Sequence, residues 1–127
     1  MARTPGPRFV RWIGSARKDM RALPAAVKRT LGYALFVAQC GGKHPDAKPL
    51  RGFGDAGVLE VVEDHEGDSY RAAYTVRFAE VVYVLHAFQK KSKRGISTPK
   101  SELYLIERRL LRAKEDYEQW QETQRSQ

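Results

Sequence analysis

The sequence has a single cysteine, Cys40, among its 127 residues. One thiol cannot form an internal disulfide, which is typical of proteins in a reducing compartment. Long apolar runs are also missing, because the longest, 34–38 and 81–85, are far shorter than the roughly 18 residues of a membrane-spanning helix. Residues 1–13 carry charges and prolines where a signal peptide needs an apolar core. We therefore expect a soluble cytoplasmic protein that does not associate with membranes.

Acidic residues are fewer than basic ones: the sequence has 15 Asp and Glu against 23 Lys and Arg, which gives a formal net charge of +8. A basic excess favours a polyanionic partner such as RNA or the ribosome, although many small basic proteins are merely soluble. The length predicts one domain, 1–127. No spacing of His, Cys and Asp resembles a metal site, so we expect neither a metal nor a cofactor.

Hydrophobic periodicity and turn residues divide the chain into short strands and three helices. In chain order we predict a strand at 9–13, helices at 16–22 and about 24–40, a basic loop at 43–57, strands at 58–62, 70–78 and 81–88, and a helix of about 22 residues after Thr98-Pro99. Thr98 is the expected N-cap of this last helix. The pattern is that of a small α+β domain.

The hairpin made by the last two predicted strands carries basic side chains on one strand and at the end of the other. Arg71 and Arg77 are expected on one face of its first strand and the large apolar side chains on the other. A reversal after this strand places Arg71 roughly opposite Ala87, so Lys90 and Lys91 follow on the order of 10 Å further along the neighbouring strand. We therefore predict that Arg71, Lys90 and Lys91 converge on one anion pocket.

Two further titratable side chains have a structural interpretation beside a catalytic one. His86 is expected to share its face with Val82, Val84 and Phe88, where a buried, satisfied histidine is more common than a catalytic one. Glu60 alternates with apolar residues on the strand before the hairpin, so an edge position facing solvent explains it. Glu60 remains a minor candidate base.

The last helix carries an apolar stripe at alternating spacings of three and four residues. Its members are Leu103, Ile106, Leu110, Ala113, Tyr117 and Trp120. A helix of this length spans roughly 33 Å, more than the sheet of a small domain needs. Its distal end, around Tyr117 and Trp120, is expected either to protrude towards a partner, or to curl back on the first helices or fray.

The runs 70–76 (YRAAYTV) and 84–92 (VLHAFQKKS), followed by Thr98-Pro99, resemble a known family when taken with the order of elements. The chain is similar to RelE/HigB-type toxins of bacterial type II toxin–antitoxin systems, and more narrowly to their phage-derived host-inhibition branch. The resemblance covers about residues 8–120. It implies a RelE-like α+β fold, with a mostly antiparallel sheet of about four strands, two N-terminal helices and a long C-terminal helix (β-α-α-β-β-β-α).

The resemblance also implies an activity and partners. Such toxins cleave mRNA without a metal, usually on the ribosome, and a small antitoxin encoded beside them, here expected to be of helix-turn-helix type, neutralises them. By this resemblance Arg71 holds the scissile phosphate, while Lys90 and Lys91 contact it or protonate the leaving oxygen. We predict further RNA contacts at Lys48, Arg51, Arg77, Lys93 and Arg94, and acid/base candidates at Glu60, His86 and Tyr104.

The chemistry does not depend on the family. Cleaving RNA needs alignment of the 2′-hydroxyl with the adjacent phosphorus, stabilisation of the added negative charge, and proton transfers. Arginine binds phosphate oxygens with a planar fork, and a lysine among other cations has a lowered pKa. Two alternatives stay open at this point: a non-enzymatic inhibitor of a DNA topoisomerase on the same fold, and a module that binds RNA without cleaving it.

Overall fold

A computed structural model describes residues 7–53, 57–90 and 98–126 as a five-stranded sheet with three helices. The elements are β1 (Phe9–Trp12), α1 (Ala16–Arg21), α2 (Ala25–Gln39), β2 (Ala47–Pro49), β3 (Val58–His65), β4 (Asp68–Thr75), β5 (Val81–Lys90) and α3 (Lys100–Arg125). The strand order is β1-β5-β4-β3-β2, with β1 parallel to β5 and the other pairs antiparallel. This confirms the predicted α+β fold. Among the helices that the structure describes, none combines the length and apolar character needed to cross a bilayer.

The sheet has one strand more than expected, because part of the predicted loop at 43–57 is the strand β2. Its Lys48 pairs with Glu60 of β3, and Pro49 pairs with Leu59. A proline is tolerated there because β2 lies at the edge of the sheet and needs no ladder hydrogen bond on its outer side. Since β2 covers β3, Glu60 does not lie on an edge strand.

The helix α2 packs on one face of the sheet and forms an apolar cluster with it. The helix contributes Val27, Leu31, Ala34, Leu35 and Ala38. The central strands contribute Tyr70, Ala72, Tyr74, Val82, Val84 and Ala87. The opposite side of α2 faces solvent, with Tyr33 at 59% and Phe36 at 53% exposure. We call the covered side of the sheet the α2 face.

The helix α3 covers part of the opposite side, which we call the α3 face. Its predicted stripe is confirmed: Ile106, Ala113 and Tyr117 are buried, and Leu103, Leu110 and Trp120 pack against the same cluster. The ring centroids of Tyr117 and Phe78 lie 4.8 Å apart, and Trp120 contacts Phe9 of β1 edge to face at 6.3 Å. The distal end of α3 therefore packs over the edge of the sheet, and the alternative in which it protrudes is wrong.

A β-bulge lies in the centre of the hairpin and changes which side chains share a face. Ala73 pairs with His86, but the next residue, Tyr74, pairs with Val84, so that β5 has one extra residue here. Val84 therefore packs on the α2 face while His86 lies on the α3 face. The expectation that His86 shares its face with Val82 and Val84 is wrong for this reason.

Candidate active site

The register of the hairpin brings Arg71 and Lys90 to the same face of the sheet. Arg71 pairs with Phe88, one residue from the expected partner Ala87, and Ser69 pairs with Lys90. Paired residues point to the same side of a sheet, and so do residues two apart on one strand. Arg71 and Lys90 are therefore diagonal neighbours on the α3 face.

Arg71 is 5% exposed and is held by a carboxylate and a hydroxyl. Its Nη1 donates to Glu60 Oε1 at 3.0 Å and to Thr98 Oγ1 at 3.2 Å, and the Thr98 hydroxyl donates to the other carboxylate oxygen of Glu60. Thr98 thus joins the start of α3 to the Arg71–Glu60 pair. We expected Thr98 to be the N-cap of α3, but the N-cap is the next residue, Pro99. The side chain of Glu60 is 14% exposed, so its expected solvent-facing position is wrong.

Lys90 is buried with only 4% exposure, and its Nζ has no hydrogen-bond partner among the described residues. Burial lowers the pKa of Lys90, and the positive charge of Arg71 lowers it further, while Glu60 opposes both effects. Burying an ammonium group without a partner costs several kcal/mol at the order-of-magnitude level. A buried lysine with a perturbed pKa beside an arginine and a carboxylate marks a candidate functional site.

A groove of about 450 Å³ opens beside this cluster on the β2–β3 side. It is lined by Asp46, Lys48, Glu60, Val62, Glu63 and Asp64. Lys48, a predicted RNA contact, lies directly opposite Glu60 across the strand pair. The groove is mostly acidic, so it repels phosphate groups except near Lys48.

A second cleft, of about 300 Å³, lies between the turn after β2 and the first turns of α3. Arg51 and Tyr104 both line it, together with Phe53, Lys100 and Glu107. Tyr104 is 63% exposed. The structure thus places Tyr104, a candidate acid or base, in this neighbouring cleft rather than among the groups that contact Arg71.

Arg77 is not brought to the site. The strand β4 ends at Thr75, and Arg77 follows in a turn where its backbone N–H donates to Thr75 Oγ1. Six residues separate it from Arg71, which corresponds to on the order of 20 Å along a strand. The remaining predicted residues, Lys91, Lys93 and Arg94, lie outside the described residues.

His86 is integrated into the contacts that attach α3 to the sheet. Its Nε2 bonds the carboxylate of Glu102, its Nδ1 lies 3.4 Å from Nη1 of Arg109, and its ring stacks on Phe88 at 4.6 Å. Burial lowers the pKa of His86 by more than the Glu102 carboxylate raises it. These contacts fit the buried, satisfied histidine. In the parts of the chain that the structure describes, no group of three or more His, Cys, Asp and Glu side chains could hold a metal ion.

Arg109 is a structural residue that the sequence analysis missed. It is 8% exposed, and it donates from Nη1 to the carbonyl oxygen of Leu85 at 2.9 Å and from Nη2 to Ser15 Oγ at 2.9 Å. Gly14 makes room for it, because a Cβ atom at Gly14 would lie 2.9 Å from Nε of Arg109. Its position was a usable signal, since Arg109 follows Ile106 by three residues and so lies on the apolar stripe of α3.

The order of the elements and the sheet topology define a small α+β domain with a RelE-like fold. The structure of a free-state mutant of the Escherichia coli toxin RelE matches this chain with a TM-score of 0.51 and 20% identity over 84% of this chain and 97% of that chain. A toxin–antitoxin complex, RelBE2 of Mycobacterium tuberculosis, matches with a TM-score of 0.46 and 24% identity over 68% of this chain and 95% of that chain. No curated protein sequence matches.

The family is shown by sequence. Residues 18–111 match the model of the phage-derived protein family Gp49-like (DUF891), and the chain belongs to this family. The predicted RelE-like fold is thereby confirmed. The predicted phage-derived origin agrees with the family that the sequence matches.

Proposed function

We propose that this chain is the toxin of a type II toxin–antitoxin system, and that it is a metal-independent endoribonuclease acting on ribosome-bound mRNA. The observation that carries the proposal is the pair of buried cations, Arg71 and Lys90, on one face of the sheet beside the Glu60 carboxylate. Its Gp49-like family and RelE-like fold support the assignment as a toxin. The cations and the carboxylate supply the groups that RNA cleavage requires.

In the proposed reaction the ribose 2′-hydroxyl attacks the adjacent phosphorus. Glu60 accepts the hydroxyl proton, the new P–O2′ bond forms, and the P–O5′ bond breaks to leave a 2′,3′-cyclic phosphate. Arg71 binds the non-bridging oxygens as negative charge grows on them. Lys90, whose lowered pKa makes it a better proton donor than an exposed lysine, protonates the departing O5′.

The free protein holds this site closed. Arg71 and Lys90 are both at most 5% exposed, and Glu60 and Thr98 occupy Arg71 Nη1. A phosphate therefore reaches Arg71 only if Glu60 and Thr98 move from these positions. This requirement fits an enzyme that depends on the ribosome to align its mRNA, because binding to the ribosome then provides the free energy for opening.

The proposed partners follow from the same assignment. A net charge of +8 attracts ribosomal RNA and mRNA, and the cognate partner is a small antitoxin, of helix-turn-helix type and encoded next to the toxin. The neighbouring reading frame tests this pairing, since a short helix-turn-helix protein there supports it. Co-expression with that protein is expected to relieve growth arrest.

One observation favours the second candidate, a non-enzymatic inhibitor of a DNA topoisomerase. The ion pair between Arg71 and Glu60 neutralises the guanidinium and closes the site, as expected of a residue with a structural role. The two functions leave different lesions in the cell. Transcript ends mapped after induction are expected to show discrete cuts in translated regions, whereas DNA breaks with intact transcripts would support topoisomerase inhibition.

The activity is tested by replacing Arg71 with alanine. We expect Arg71→Ala to abolish growth arrest and the mapped cuts, because the main ligand of the phosphate is lost. Arg77→Ala is the matched control, since Arg77 is an exposed arginine that follows the end of β4, and its loss is expected to leave both readouts unchanged.

Removing one partner of a buried ion pair costs about 3–5 kcal/mol, so folding of Arg71→Ala is checked by circular dichroism. Lys90→Met provides the second variant, because it removes a buried charge that has no hydrogen-bond partner among the described residues. Undiminished cleavage in a folded Arg71→Ala protein or in Lys90→Met would contradict the proposed mechanism.

A further inference from the structure

The cleft between the turn after β2 and the start of α3 has the composition of a nucleotide site. Arg51 and Lys100 supply two cations, and Tyr104 supplies an aromatic ring that is 63% exposed. Phe53, partly buried, forms an apolar wall. The volume of about 300 Å³ is at the lower end of the range of small-ligand pockets and suits one nucleotide.

This cleft adjoins the proposed active site. Thr98, which bonds Arg71, lies two residues before Lys100, and Tyr104 lies in the second turn of α3. Six residues of helix and its approach correspond to about 10 Å, so the cleft lies close to a phosphate held by Arg71. The groove beside β2 and β3, in contrast, is mostly acidic. An RNA strand that leaves Arg71 is therefore attracted to the cleft and repelled by the groove.

We propose that this cleft binds the unpaired nucleotide next to the scissile phosphate, an inference that rests on the proposed nuclease function. The base stacks on the ring of Tyr104, and the phosphate of the nucleotide contacts Arg51 and Lys100. Stacking on aromatic side chains between cations is how proteins commonly bind single-stranded RNA. The guanidinium of Arg108 lies over the Tyr104 ring at 5.8 Å from its centroid, and the base takes the other side of the ring.

Glu107 gives the cleft a preference among bases. It lines the cleft one turn after Leu103, and a carboxylate only accepts hydrogen bonds when ionised. Cytosine, adenine and guanine each present an exocyclic amino group to such an acceptor, whereas uracil has no amino group and its single ring N–H donor lies between two carbonyl oxygens that a carboxylate repels. The cleft therefore disfavours uridine.

The inference is tested with fluorescent 2′-O-methyl RNA hexamers, which retain bases and phosphates but cannot be cleaved by 2′-hydroxyl attack. Anisotropy titrations at low salt measure the affinity of the full chain for hexacytidine and hexauridine. We expect Tyr104→Ala to weaken hexacytidine binding about tenfold through loss of stacking, and Tyr104→Phe to retain it. Tyr33→Ala, on the equally exposed tyrosine of α2, is the matched control and is expected to bind as the wild type does.

The preference among bases is tested with a separate variant of Glu107. The wild type is expected to bind hexacytidine more tightly than hexauridine, and Glu107→Gln is expected to reduce the ratio of the two affinities, because an amide can also donate to uracil. A wild-type protein that binds neither hexamer, an unchanged affinity in Tyr104→Ala, or an equal loss in Tyr33→Ala would each overturn the inference.

Failure of this inference is distinguishable from failure of the nuclease assignment. Transcript cuts in cells together with binding that does not depend on Tyr104 would refute the cleft and leave the nuclease standing. Binding that depends on Tyr104, with transcripts intact after induction, would establish the cleft as an RNA site and refute the nuclease.

Discussion

The two faces of the sheet bury different chemistry. The cluster on the α2 face consists of aliphatic and tyrosine side chains, and its Tyr74 hydroxyl has no hydrogen-bond partner within the described ranges. The α3 face also holds the buried basic side chains of the described residues: Arg71, His86, Lys90 and Arg109. One sheet therefore separates an apolar core from a layer in which basic side chains are buried beside a second apolar cluster.

This difference shows where the fold gains stability and where it gives stability up. Apolar contacts on the α2 face and along the stripe of α3 stabilise the fold, and they need no hydrogen-bond partner to do so. On the α3 face Arg109 donates hydrogen bonds from both of its terminal nitrogens, whereas Lys90 Nζ has no hydrogen-bond partner among the described residues and Glu60 offsets its burial cost only in part. Natural proteins retain such costs chiefly at functional sites.

Among the variants that test this difference between the two faces, Lys90→Met is expected to change stability and activity most. Methionine fills a similar volume without a charge, so we expect the free energy of unfolding to rise by about 1–4 kcal/mol, as for other buried charges replaced by apolar residues. RNA cleavage is expected to fall about 10²–10³-fold, as on removal of one group that stabilises transition-state charge. Urea denaturation and transcript-end mapping measure the two effects.

The control for this variant is Lys114→Met, which removes an exposed lysine from α3. It is expected to change stability by less than about 0.5 kcal/mol and leave cleavage intact. A Lys90→Met protein that is less stable than the wild type would show that the ammonium group has a stabilising partner and that the contrast between the faces is overstated.

A tyrosine on each face gives the next test. On the α3 side, Tyr83 donates its hydroxyl hydrogen to Asp116 Oδ2 at 2.7 Å, so Tyr83→Phe is expected to cost about 1–2 kcal/mol. On the α2 face, burial raises the pKa of Tyr74 to about 12, and no described residue bonds its hydroxyl. Tyr74→Phe is therefore expected to be neutral or slightly stabilising. Equal losses in the two variants, measured by urea denaturation, would remove the distinction.

The smallest expected effect is a pH dependence that comes from His86. Burial lowers its folded-state pKa below the ordinary value of 6.5, so the unfolded chain binds the proton first as the pH falls. Stability is therefore complete above 6.5 and decreases as the pH falls from 6.5 towards the folded-state pKa. Glu102 and Asp19 moderate this loss, and Arg109 increases it.

Urea denaturation between pH 8 and pH 5 compares the wild type with His86→Gln. The variant is expected to lose less stability over this interval, because glutamine does not titrate. A wild-type protein that gains stability relative to the variant as the pH falls would show that the attraction of Glu102 outweighs burial.

The sequence predicted the parts of the fold that depend on repeated local signals. The apolar stripe from Leu103 to Trp120 has helical spacing over many turns, and it defined α3 and its buried side correctly. The strand β2 was missed because it has three residues, includes Pro49 and is stabilised by pairing with β3. Isolated pairing of this kind leaves no periodic pattern in the sequence.

The candidate site was predicted less completely because it depends on register. A difference of one residue places Arg71 opposite Phe88, and so selects Lys90 as its neighbour on the same face. The bulge at Ala73 and Tyr74 then moved His86 to the opposite side from Val84, which simple alternation could not indicate. Thr98 was recognised as a polar residue at a helix start, but its bond to Arg71 joins parts of the chain far apart in sequence.

The absence of a side chain at Gly14 affects contacts well outside its own turn. Its backbone has φ of +57°, and the space above its Cα is filled by the guanidinium of Arg109, which also holds the carbonyl oxygen of Leu85 at the bulge. An added methyl group would collide with that buried guanidinium and displace the donor of the hydrogen bond to Leu85. A substitution in the turn before the first helix is thus expected to weaken the attachment of α3 to the central strand.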